Sequence, residues 1–281
     1  MYSVVKTTVS KKDYPPYDPP KETLEWNLQT FTFVVSMIVQ AVALGLSIAA
    51  LSTSTESNSK PELLVTILVL ELVVQSVELV WYAVVGIVFY FGKVSIGVQY
   101  RYLDWMVTTP TMLISILLFI WYLQCDIYTL ENIGESNGKM VAILVSVLLN
   151  WLMLGMGFTH EARMKSFTDW VDYLFCGKNS ILYISFLPFV GSYVPIFYYA
   201  FVDPNMIGII TVLITFVIWT LYGVAAILYA DEKDDAMKNT WYNVLDIVSK
   251  NIAGITISIV AFMYEPTSVD ASAPLCNATS A

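Results

Sequence analysis

The stretch WYNVLDIVSKNIAGITISIVAFMY, residues 241–264, is long and apolar enough to cross a bilayer, yet it holds a lysine, Lys250, near its middle. A span of the hydrocarbon core takes about 20 apolar residues. An ionisable group at the centre of such a span costs about 3 kcal/mol on insertion scales, so it marks a functional site by default. Lys250 lies too deep for its amine to reach the interface. Asp246, four residues earlier, shares its helix face. An ion pair that only holds helices together is the weaker reading, because a buried pair rarely improves on apolar packing.

Six more apolar stretches precede this one. The spans are predicted at about 26–52, 61–91, 98–123, 139–159, 180–202, 205–230 and 240–264. The connectors STSTESNSK (52–60), ENIGESNGK (131–139) and DPN (203–205) carry turn and polar residues. Residues 160–179 form the longest loop, part of which suits a short amphipathic helix. The expected organisation is a polar, proline-rich tail over 1–24, a seven-helix membrane domain over 25–264, and a short polar tail over 265–281.

Composition agrees with an all-α integral membrane protein. The chain has 281 residues, 57% hydrophobic and 13% charged, and a mean hydropathy of +0.65. A soluble domain of this size carries more polar surface. The net charge of −9, spread over tails and loops, argues against nucleic acid as a partner. Cys125, Cys176 and Cys276 are scattered without CxxC spacing, so neither a disulfide framework nor a metal site is expected. The single histidine, His160, falls outside the spans and is assigned no role. No basic segment leads directly into an apolar core at the N-terminus, so no cleaved signal peptide is expected.

The third span adds Arg101, Asp104, Thr108, Thr109 and Ser115. On an α-helix, positions 104, 108 and 115 fall within about 40° of one another and extend roughly 16 Å along the axis. Arg101 stands one turn from Asp104. The bland reading of Thr108 is a bond to its own backbone, and Ser115 alone also suits packing. Two carboxylates, Asp104 and Asp246, balance Arg101 only if Lys250 is also charged. A free amine in an apolar core tends to lose its proton, whereas a conjugated imine between two carboxylates keeps it. Such a group is a proton switch, with Asp104 as nearest acceptor. The second span contributes Glu71 and Glu78, seven residues apart on one face.

RYLDWMVTTP (101–110), LDIVSK (245–250) and WTLYG (219–223) together resemble the microbial, or type 1, rhodopsins. The likeness covers about 26–264 and looks greatest for giant-virus rhodopsins of marine protists, with an Asp104-Thr108-Ser115 signature. The resemblance implies all-trans retinal as cofactor, bound to Lys250 as a Schiff base. It implies Asp104 as counterion and proton acceptor, Asp246 as second counterion, Arg101 as extracellular gate, and Thr108 bonded to Asp104. It places Trp105 and Trp219 on either side of the polyene, with Thr109, Pro110, Met112, Tyr222, Ser185 and Phe189 in the pocket. SFLPF (185–189) supplies the last two. There are departures: Ser115 stands where proton pumps of the bacteriorhodopsin type have a carboxylate, Gly223 where many members have proline, and Ala226 where a second tryptophan is common.

The expected function is a light-driven outward proton pump rather than an enzyme. A light-gated cation channel lined by Glu71 and Glu78 is the alternative. A photosensor ranks below both, since the short 203–205 connector and the C-terminal tail offer little docking surface. Asp246 weighs against an inward pump, and the absence of an Asn-Asp-Gln set at 104, 108 and 115 against a sodium pump. No HExxH, nucleophile–base pair or phosphate loop falls in the spans. The expected partners are lipid, the proton or another transported cation, and further copies of the chain. The loop charges, including Lys6, Lys11, Lys12, Lys21, Arg163, Lys165 and Lys178, place the N-terminus in the cytoplasm by the positive-inside rule. The resemblance implies the reverse, N-terminus outside and C-terminus cytoplasmic, and is followed here.

Overall fold

The computed structural model describes residues 24–57, 62–92, 97–124, 130–162, 164–175, 177–230 and 236–263. The predicted tails, apart from Leu24, and all three cysteines lie outside these residues. The described elements are helices: α1 (Leu24–Ser57), α2 (Glu62–Gly92), α3 (Arg101–Leu123) entered through a 3-10 turn (Val98–Tyr100), α4 (Leu130–Glu135), α5 (Asn137–Glu161), α6 (Lys165–Leu174), α7 (Ser180–Val202), α8 (Met206–Leu228), α9 (Ala236–Asp246) and α10 (Ile252–Met263). A π-turn, Ile247–Asn251, joins α9 to α10. Among the described residues, six helices are each long and apolar enough to cross a membrane. The seventh path is α9, the π-turn and α10 together, packed against α1, α2 and α8. The architecture is the seven-helix bundle that the hydrophobic pattern predicts.

The distribution of polarity is inverted relative to a water-soluble protein. Leu187, Val80 and Leu103 are 73%, 63% and 59% exposed, as suits side chains that face lipid. Gln40, Gln75, Glu78, Asn243 and Asp246 are fully buried. Within a bilayer every backbone group needs a partner inside the protein. Pro110, inside α3, cannot bond the carbonyl of Met106 one turn back. The Trp151 indole of α5 donates to that carbonyl at 2.9 Å, which ties α3 to α5 where the proline interrupts the ladder.

The caps explain the helix starts. The Asn205 side chain accepts from the amides of Ile207 and Gly208 at 3.0 and 3.3 Å and caps α8. The Asp172 carboxylate of α6 accepts from the amides of Asn179 and Ser180 and caps α7. The amphipathic segment expected within 160–179 is α6. The 131–139 connector differs from the expected turn. It is largely helical, with α4 and the start of α5 separated only by the extended backbone of Ser136.

Candidate functional site

Lys250 sits in the π-turn, where the widened backbone carries its side chain into the bundle axis. The turn leaves the Lys250 carbonyl to accept from Gln75 Nε2 of α2 at 3.2 Å. The amine is surrounded by carboxylates. Lys250 Nζ donates to Asp104 Oδ2 at 2.9 Å. It lies 3.3 Å from Glu78 Oε1 and 3.5 Å from Asp246 Oδ1. Sequence reasoning named Asp104 and Asp246 as the counterions and missed Glu78, whose place beside the amine follows only from how α2 packs. The cluster holds three carboxylates against two cationic groups, so full ionisation leaves it one cation short.

Asp246 is the more completely bonded of the two aspartates. It accepts from Tyr222 Oη at 2.7 Å, from Tyr82 Oη at 2.9 Å and from Arg101 Nη1 at 3.1 Å. Asp104 Oδ1 has no hydrogen-bond partner among the described residues. Arg101 is held by Asn239 through Nε at 2.9 Å and by the Asn243 side chain through Nη2. Asn243 also receives Tyr82 Oη at 3.2 Å and donates to Thr32 Oγ1 of α1 at 3.0 Å. It therefore joins α1, α2, α3 and α9 at one point. No sequence signal beyond its place three residues before Asp246 marked it.

Thr108 departs from expectation. Its hydroxyl donates to the backbone carbonyl of Asp104 at 3.1 Å, not to the carboxylate. A threonine within a membrane helix reaches the carbonyl one turn back more easily than a side chain on its own strip. Thr109 donates to the Trp105 carbonyl and to Asn150 Oδ1 of α5, at 2.7 and 2.8 Å. Ser115 is buried and lies beside Glu71 of α2. Glu71 and Glu78, read from sequence as sharing a face, both point inward and are buried.

Behind Lys250 lies a largely apolar cavity, of the kind that holds small molecules and cofactors. Of the residues assigned to the pocket, Trp105, Thr109, Met112, Ser185, Phe189, Trp219, Tyr222 and Lys250 line it. Pro110 is buried in α3 and does not. Its ring lies in the helix backbone, where it serves the α3–α5 tie instead. Tyr102, Gly157, Phe186 and Tyr242 also line the cavity and were not anticipated. Gly223 and Ala226 leave room that larger residues would take. A β-carbon on Gly223 would stand 2.4 Å from the Phe186 ring. The walls are aromatic, the amine opens on one end, and a counterion stands behind it. These features fit a long conjugated aldehyde bound as an imine.

Fold and site together define a seven-helix membrane protein built around an internal lysine, its carboxylate counterions and an aromatic cavity. The family model for bacteriorhodopsin-like proteins matches residues 27–264. The chain belongs to that family, the microbial rhodopsins. Viral rhodopsin OLPVRII has a similar structure, with 22% identity, TM-score 0.65, and coverage of 85% of this chain and 100% of that one. A thermophilic rhodopsin from Rubrobacter xylanophilus is 16% identical with TM-score 0.63, covering 83% of this chain and 96% of that one. A blue light-absorbing proteorhodopsin is 19% identical with TM-score 0.57, covering 86% and 100%. No curated protein sequence matches the chain.

Proposed function

We propose that this protein binds all-trans retinal on Lys250 and acts as a light-gated cation channel. The observation that carries this reading is a buried polar seam between α1, α2, α3 and the seventh helical path. On α1 it comprises Gln29, Thr32, Ser36, Gln40 and Ser47, all buried. From Gln29 to Ser47 it extends about 27 Å along the axis, close to the thickness of a hydrocarbon core. Glu71, Gln75 and Glu78 face it from α2, and Asn243, Asn251 and Ser258 from the seventh path. Among the described residues, side-chain oxygens of Gln29, Gln40, Gln75 and Asn251 have no hydrogen-bond partner. Buried polar oxygens need partners, and a hydrated cation supplies them. The seam runs beside the chromophore cavity, and its glutamates favour positive ions.

Bound as an imine through Lys250, retinal supplies light absorption and a polyene that isomerises. The chain's own residues do the rest. Asp104 is placed to take the proton from Lys250 Nζ. Neutralising that aspartate weakens the hold of the cluster on Arg101 and Asn243, which close the seam at the end where α3 and α9 begin. At that end one asparagine, Asn243, binds α1, α2 and α3 together.

A light-driven outward proton pump is the second reading. The 2.9 Å contact from Lys250 to Asp104 favours it, with Arg101 on the exit side. It needs no polar face on α1, however. We place the N-terminus outside and the C-terminus in the cytoplasm, so that Arg101 guards the external end, and expect assembly into a homo-oligomer. Voltage clamp under light separates the readings. A channel current reverses with the cation gradient, and a pump current persists against it.

A further inference from the structure

A buried ion pair that the site chemistry does not use stands beyond the cavity lining. Lys238 Nζ donates to both oxygens of Glu161, at 3.1 and 3.0 Å. Both side chains are buried, 4% and 6% exposed. Sequence placed Lys238 just outside the seventh span, but α9 begins at Ala236 and takes it into the bundle.

The position follows from helix geometry. Gly157 of α5 and Tyr242 of α9 line the cavity. Glu161 is four residues after Gly157 and Lys238 four residues before Tyr242, so each stands one turn beyond its own wall residue on the same face. Tyr102 of α3 fills the space between. Its hydroxyl lies so close to Gly157 that a β-carbon there would stand 2.5 Å from it. Tyr102 also packs edge-on against Trp105 and Phe158. The layer beyond the cavity is thus Tyr102 capped by the Glu161–Lys238 pair. The polar seam lies elsewhere, around Arg101 and Asn243.

A buried ion pair is a poor way to gain stability, and an apolar pair of similar volume often does as well. What it adds is a directional tie between α5 and α9. We propose that the Glu161–Lys238 pair is a lid that seals this end of the chromophore cavity against water and small nucleophiles, while ions pass through the separate seam. The proposal rests on the retinal reading.

Hydroxylamine tests it. The reagent displaces the lysine from an imine, giving the oxime and the free Lys250 amine with no net oxidation or reduction. In the full-length pigment, Glu161→Gln and Lys238→Met are expected to bleach in the dark faster than wild type by about tenfold or more. The absorption maximum should stay unchanged. The charge exchange Glu161→Lys with Lys238→Glu should return the rate towards wild type, as should the apolar pair Glu161→Met with Lys238→Leu. Thermal unfolding of the retinal-free protein, measured in parallel, reports stability alone. Equal bleaching rates across the folded variants, with only the unfolding midpoint lowered, would mean that the pair is structural and no lid. If neither single variant folds, Glu161→Ala with Lys238→Ala, which empties the layer, decides: bleaching faster than in the two filled double variants supports the lid, and a wild-type rate overturns it. A wild-type protein that forms no visible pigment overturns the retinal reading instead.

Discussion

Lys250 Nζ lies 2.9 Å from Asp104 Oδ2, with both side chains 2% exposed and the residues 146 positions apart in the chain. The contact joins the third and seventh spans at the centre of the bundle. Water screens it little, so its electrostatic effect on anything bound to that nitrogen is large.

Asp104→Asn is therefore expected to shift the absorption maximum to the red, because loss of the negative charge makes it easier to spread the imine's positive charge along a polyene. Acidifying the wild-type pigment should do the same as protons neutralise Asp104, and returning to higher pH should reverse it. Absorbance titration checks both. An unchanged maximum would assign the counterion role to Asp246 or Glu78.

Lys250→Ala is expected to abolish the visible band on addition of retinal. It also leaves three carboxylates facing Arg101 alone, and breaking a buried pair costs about 3–5 kcal/mol. Lys250→Arg keeps the charge without a nucleophilic amine, so it should stay folded and colourless. Thermal unfolding alongside absorption spectra separates loss of pigment from loss of fold.

Glu78→Gln discriminates between the two transport readings. If the seam conducts cations, removing a carboxylate beside Lys250 should lower the photocurrent and shift its reversal potential between sodium and proton gradients. If the protein pumps through Asp104, the direction of current should persist. Whole-cell recording with exchanged external cations makes the comparison.

Asn243→Ala should loosen the junction of α1, α2, α3 and α9. It removes the acceptor of Arg101 Nη2 and the partner of Thr32, and an unsatisfied buried group costs about 1–3 kcal/mol. The expected results are a lower unfolding temperature and a current that remains in the dark. A tight dark state would place the constriction elsewhere.

Glu71 beside Ser115 changes what the missing carboxylate at 115 implies. With a buried acid next to that serine, the return of the proton to Lys250 should depend only weakly on pH in the wild type. In Glu71→Gln the supply must come from bulk, so the rate should fall about tenfold for each unit rise in pH. Flash photolysis at several pH values measures it. A steep dependence already present in the wild type would exclude Glu71 as the donor.

The sequence by itself determined the seven spans, because length and hydropathy suffice where lipid is the solvent. It also singled out Lys250, Asp246, Arg101 and Asp104, since an ionisable group within a span has no bland explanation at low cost. Helix periodicity placed Thr108 and Ser115 on the strip of Asp104, but could not tell that the Thr108 hydroxyl turns back to its own backbone. The rest required tertiary packing. Glu71 and Glu78 were visible as acids on one face, yet only the rotation of α2 against the π-turn brings Glu78 to the lysine and Glu71 to Ser115. The polar residues of α1 are too sparse to stand out in an apolar run, and they form a seam only when α2 and the seventh path close over them. Glu161 and Lys238 read as ordinary loop-edge charges until the ends of α5 and α9 meet across Tyr102. Sequence fixes which side chains a helix presents along each face, and the angle between helices decides which of those faces meet.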